Sequence, residues 1–171
     1  MKILKWAGIL LLGIIALALI VAAFVPKTFT YERNIVISKP RAVVFDYIKY
    51  IKHQDNYGKW QLMDPGMKKM YEGTDGTVGF KYSWDSKELG KGSQTITKIV
   101  EGASIATSLD FGFGEPADSY MTTADEGAGQ TKVTWGISGR SPYPFNLMSL
   151  FYDMGKDFET GLNNLKNVLE K

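Results

Sequence analysis

The sequence predicts an α+β domain preceded by one N-terminal transmembrane helix. Three observations carry this: a charge-free run from Trp6 to Val25, a series of short β-like segments separated by turn-rich stretches, and an apolar stripe at helical spacing near the C-terminus. The expected division is residues 1–26 as membrane anchor and 27–171 as a folded domain. Aliphatic and aromatic residues make up 44% of the 171, enough for a core, and the charged share of 22% argues against disorder.

The first element is "WAGILLLGIIALALIVAAFV", twenty residues without a charge. At about 1.5 Å per residue this spans roughly 30 Å, the thickness of a bilayer's hydrocarbon core. It lacks the polar stripe of a helix half-buried in a soluble core. Val21-Ala22-Ala23 has the small-residue look of a signal cleavage site, but the run is longer than the roughly 7–15 residues of a secretory apolar region. An uncleaved single-pass anchor is therefore the preferred expectation. Lys2, Lys5 and the amino terminus favour a cytoplasmic N-terminus. The domain is then expected outside the cytoplasmic membrane, on the periplasmic side.

"TYERNIVIS" (30–38) alternates as a strand, with Tyr31, Arg33, Ile35 and Ile37 on one face. Ser38-Lys39-Pro40 opens a helix, proline standing in the first turn where its missing N–H costs little. That helix is expected to run through "RAVVFDYIKYIKH", with Val44, Ile48 and Ile51 inward. Asp46, Lys49 and His53 then face solvent. Stretches such as "MDPG", "EGTDGT", "DSKELGKG", "EGAS", "GFGEPAD" and "DEGAGQ" are turns. Between them "KKMY", "VGFKYSW", "SQTITKIV", "IATSLDF", "SYMTTA" and "TKVTWGIS" are strands, joined antiparallel, about seven with the first. From Ser149 to Lys171 a long helix is expected, with Phe151, Phe158, Leu162, Leu165 and Leu169 on its apolar side and Asp153, Lys156, Asp157 and Thr160 on the other. Gly155 and Gly161 weaken it by about 1 kcal/mol each and point to a close approach beside Phe158. Such a helix buries its stripe on the concave face of the sheet.

Several chemistries are excluded or unsupported. The absence of cysteine removes disulfides and thiolate chemistry, and a lone histidine with no cysteine forms no metal-binding cluster. No cofactor, metal or catalytic residue is expected. The turn carboxylates, Asp64, Asp75, Asp85, Asp118 and Asp125 among them, suit local backbone hydrogen bonding better than acid/base work. There is no phosphate-binding loop and no nucleophile elbow. Net charge is +2; without Lys2 and Lys5 the 18 remaining basic residues balance 18 acidic ones, which leaves no basic face for nucleic acid.

In "ERNIVISKPRAVVFDYIKYIKHQDNYGKW", the run from "MDPGMKKMYEGT" to "TKIVEG", "TKVTWGISG" and the terminal "DFETGLNNLKNVLEK", the chain resembles the START-like superfamily, also called SRPBCC. It is most similar to the small bacterial members grouped with polyketide cyclase/dehydratase and lipid-transport proteins. The resemblance covers about residues 29–171 and implies a helix-grip fold: a curved antiparallel sheet wrapped round the last helix, with a deep apolar cavity between them. It implies as partners a hydrophobic small molecule (a lipid, an isoprenoid or a polyketide-like chain) and, through residues 6–25, the membrane; a protein partner is left unnamed.

On that basis the large rings on inward strand faces become candidate cavity walls: Phe80, Tyr82, Trp84, Phe111 and Trp135, with Phe158 of the last helix. Met121 and Met154 would adapt to ligand shape, and Trp60 borders the cavity mouth. Two alternatives stand beside binding. A cyclase or dehydratase would need an acid/base pair inside the cavity, with Tyr82 and Asp85 the pair to inspect. An interaction module at the membrane would use the apolar segment "SPYPFNLMSLF" (141–151), which equally suits a lid.

Overall fold

The structure is a computed structural model that describes residues 2–171. Met1 and the Lys2 side chain, which enter the topology argument above, lie outside the described residues. Among those residues the order is α1 (Lys2–Phe24), β1 (Thr28–Ile37), α2 (Arg41–Ile48), a 3₁₀ helix (Ile51–Asn56), α3 (Lys59–Met63), β2 (Lys68–Glu72), β3 (Lys81–Ser86), β4 (Gly90–Val100), β5 (Ser104–Asp110), β6 (Ala117–Gly127), β7 (Gln130–Arg140), a second 3₁₀ helix (Phe145–Leu150) and α4 (Gly155–Leu169).

The strands form one seven-stranded antiparallel sheet in the order β1-β7-β6-β5-β4-β3-β2. Only β1 is displaced from sequence order, because α2 and α3 carry the chain from one sheet edge to the other. Its partner is β7, with Arg33 opposite Trp135 and Ile35 opposite Val133. A bulge in β4 between Ile96 and Lys98 bends the sheet. α4 lies in the concavity, burying Phe158, Leu162 and Leu165 against β1 and β7. A Cβ at Gly161 would come within 2.8 Å of the Trp135 ring, so glycine is what lets helix and strand approach.

Several expected boundaries move. α4 begins at Gly155 rather than Ser149. Asp153 accepts the Gly155 N–H (2.8 Å) and pairs with Arg33 of β1 (2.9 Å), fixing the helix start. Phe151 falls before that start and is 84% exposed, outside the predicted stripe. The first soluble helix stops at Ile48, and the chain restarts as a 3₁₀ helix whose first N–H groups, Ile51 and Lys52, donate to the Asp75 carboxylate (2.9 and 3.1 Å). Val78 is exposed and outside the strand expected over "VGFKYSW": Gly79, at φ 91°, turns the chain, and β3 starts only at Lys81. His53 is half-buried, not solvent-facing. Its ring stacks on Tyr47 (4.4 Å between centroids), and Nδ1 lies 2.8 Å from the Tyr47 carbonyl. A carbonyl only accepts, so Nδ1 carries the proton.

Candidate functional site

Two neighbouring cavities lie between the sheet and the C-terminal segment. The inner chamber, about 260 Å³, is bounded by strand side chains Tyr82 and Trp84 (β3), Gln94 (β4), Leu109 (β5), Ser119 (β6) and Trp135 (β7), with Trp60 of α3 and Phe158 of α4 as its cover. The outer vestibule, about 620 Å³, is built from the start of β1, the β5–β6 loop and the 3₁₀ helix Phe145–Leu150. Phe111, Phe113 and Met154 border both. They stand between the two.

The aromatic wall is a contact network. Trp135 stacks on Phe158 (5.0 Å between centroids), and Trp60 meets both edge-on, at 6.3 and 5.5 Å. Trp84 packs edge-on to Phe111 (6.4 Å). Of the residues expected to line a cavity, Trp60, Tyr82, Trp84, Phe111, Trp135, Met154 and Phe158 all border the inner chamber. Phe80 and Met121 border neither cavity. Met121 sits on the inward face of β6 and Phe80 just before β3: Phe80 is covered by the Tyr71 ring (6.1 Å), and Met121 by Tyr57, whose hydroxyl reaches its sulfur (3.6 Å). Both are core residues.

The polar groups of the inner chamber are neutral. Gln54, Gln61, Gln94 and Ser119 line it, and among the described residues its wall carries no carboxylate, lysine or histidine. Gln94 donates to Thr107 (3.2 Å) and Ser119 to the Gly136 carbonyl (2.9 Å). These four were absent from the sequence-based candidates. The available signal was a polar residue in an inward register, as Gln94 is beside Ile96 and Ser119 beside Met121. The Tyr82–Asp85 pair does not assemble. Tyr82 points its hydroxyl at the Met67 sulfur (3.1 Å), and burial raises its pKa above the usual phenol range; Asp85 turns outward to Lys91 (3.0 Å). Burial likewise pushes Tyr57 far up.

One buried carboxylate lies behind the wall. Asp157, expected on the polar side of the last helix, is instead 2% exposed and takes an ion pair from Lys59 and a hydrogen bond from Tyr152. Burial first, then that hydrogen bond, pushes the Tyr152 phenol up to about 12. The pair ties α3, and so Trp60, to α4. Lys59→Met removes the cation and leaves the buried carboxylate with a neutral donor alone. It is expected to cost about 1–3 kcal/mol, discounted because Lys59 is itself partly exposed. Thermal unfolding followed by near-UV circular dichroism checks this; an unchanged midpoint would show that the pair contributes nothing. The turn carboxylates do local work: Asp64, Asp110 and Asp125 each accept a backbone N–H two residues on, at 2.8–3.1 Å. Among the described residues no three acidic or histidine side chains converge as metal ligands.

No family model matches the chain, and no curated protein does. Solved structures similar to it include a protein from Thermobifida fusca, at 14% identity and TM-score 0.63, over 82% of this chain and 92% of the other. Norcoclaurine synthase from Thalictrum flavum, solved in complex with dopamine and hydroxybenzaldehyde, matches at 9% identity and TM-score 0.62, over 84% and 87%. The Aha1 dimer from Colwellia psychrerythraea matches at 12% and 0.59, over 83% and 96%. Together with the sheet order and the position of α4, these similarities establish a helix-grip protein. They support the START-like resemblance at the level of fold.

Proposed function

We propose that this chain is a membrane-anchored binding domain for a hydrophobic small molecule, held between the sheet and α4. The observation that carries the reading is the inner chamber itself: four large aromatic rings, Trp60, Trp84, Trp135 and Phe158, enclose space that they leave unfilled. Its neutral amides and hydroxyl suit an uncharged or weakly polar group on an otherwise apolar ligand, because a buried charge there would find no partner. A lipid, an isoprenoid or a polyketide-like chain meets that description. The vestibule extends the available volume into the range of ordinary ligand sites, roughly 300–1,000 Å³. Norcoclaurine synthase supports a small-molecule role for such a fold by analogy of architecture only.

α1 supplies the anchor in this reading. From Ile3 to Phe24 it is long and apolar enough to span a bilayer, and it is exposed along the stretch from Ile3 to Leu17. An uncleaved anchor is favoured over a cleaved signal because the domain is built to hold the helix end. Asn146, fully buried, donates through Nδ2 to the carbonyls of Ala22 (2.7 Å) and Val25 (2.8 Å). Cleavage at Val21-Ala22-Ala23 would take away the Ala22 partner or leave it on a frayed end. Lys2 and Lys5 ahead of the span favour the periplasmic side for the domain in this reading.

The test uses the full chain with Trp6→Phe in nanodiscs, so that the remaining tryptophans are those at the chamber. A brominated fatty-acid methyl ester, which carries no charge, is expected to quench their fluorescence saturably, at one molecule per chain. Quenching that rises linearly without saturation would overturn the binding reading.

A further inference from the structure

The vestibule is rimmed by side chains that an aqueous surface does not explain. Phe113, Phe145, Met148, Leu150 and Phe151 are 56–84% exposed. Three of them, Phe113, Phe145 and Met148, border the vestibule directly, so they form one apolar lip around its mouth. What covers this lip follows from where α1 ends. The 3₁₀ helix Phe145–Leu150 is bound to the last turn of α1 by Asn146, and the Tyr143 hydroxyl donates to the Leu19 carbonyl (3.2 Å). Leu19 lies five residues before the helix end at Phe24, about 7 Å down the span. Tyr143 thus reaches below the level at which the apolar helix finishes, at the depth where interfacial aromatic side chains lie. Lys27 and Arg140, exposed at the vestibule rim together with the carboxylate of Glu115, stand just beyond that level, where headgroup phosphates lie.

We propose that this lip is seated in the bilayer that α1 spans, so that the vestibule opens onto lipid and not onto water. An apolar ligand then passes between the bilayer and the inner chamber by way of the vestibule, past Phe111, Phe113 and Met154, which border both cavities, without crossing the aqueous phase. This rests on the reading of α1 as a membrane span, and the test separates the two.

The chain has no cysteine, so single-cysteine variants of the full protein report single positions. Nitroxide labels are placed at Phe145→Cys and Met148→Cys in the lip, at Leu12→Cys in α1, and at Glu126→Cys beside the β6–β7 turn at the far end of the sheet. In phosphatidylcholine–phosphatidylglycerol vesicles, collision with oxygen, which partitions into lipid, is compared with collision with a water-soluble nickel chelate. The lip labels are expected to match Leu12, with an oxygen-to-nickel ratio several-fold above that of Glu126. Lip labels that match Glu126 while Leu12 favours oxygen would overturn the lip proposal and leave the anchor standing. A Leu12 label that favours nickel would overturn the span and the lip together. Lip labels shielded from both reagents would assign the lip to a protein contact and overturn its seating in lipid.

Discussion

Phe158→Ala is expected to destabilise the domain by about 3–5 kcal/mol, the usual cost of truncating a buried phenylalanine. The high end is expected, for a reason specific to this site. Phe158 is 1% exposed, stacked on Trp135 and met edge-on by Trp60, so its ring is the junction through which α4, β7 and α3 touch. It also borders the inner chamber. Removing it merges the new void with existing space, and neither tryptophan can close the gap without leaving its own contacts. For a domain of this size about 2–4 °C of melting temperature is lost per kcal/mol, so a fall on the order of 10 °C is expected in thermal unfolding. A fall of only a degree or two would mean that Trp135 and Trp60 repack on one another and that the ring is not the junction described.

The strand faces were legible because β-strands keep a strict period of two. Tyr82 and Trp84 on β3, and Trp135 on β7, all project into the concavity as their alternation requires. The same periodicity misplaced Phe80 and Met121. Alternation says which face a residue occupies but not how far along the strand the cavity extends, and that depends on which side chains from elsewhere cover the face. Tyr71 and Tyr57, the covering residues, come from β2 and from the end of the first 3₁₀ helix. In the last helix the stripe Phe158, Leu162, Leu165 was legible, but Asp157 was assigned to the polar side because helical spacing cannot show that Lys59, 98 residues earlier, stands opposite it. The vestibule was least legible of all. It exists because residues 19–25 meet residues 143–146, a contact across more than a hundred positions with no local pattern to announce it. The segment 141–151, which suited a lid or a protein surface, gained a physical setting only from that contact.

The sharpest separation of cavity wall from core comes from two substitutions on one strand. Ser119→Phe is expected to lower affinity for the brominated methyl ester by at least about tenfold, or about 1.4 kcal/mol, while the domain stays folded. Ser119 is 3% exposed and borders the inner chamber, so a phenyl ring there takes up much of the roughly 260 Å³ that a ligand would need. The stability cost is small. The lost hydrogen bond to the Gly136 carbonyl is worth about 1 kcal/mol, and burial of the new ring offsets it. Two residues further along β6, on the same face, Met121 packs under Tyr57 away from both cavities. Met121→Leu conserves volume, is expected to cost under about 1.5 kcal/mol, and leaves binding unchanged. The two variants are read side by side in the tryptophan-quenching titration. Binding that survives Ser119→Phe would place the ligand in the vestibule alone. The aromatic chamber would then be an under-filled core, and the reading of Trp60, Trp84, Trp135 and Phe158 as a binding wall would fall.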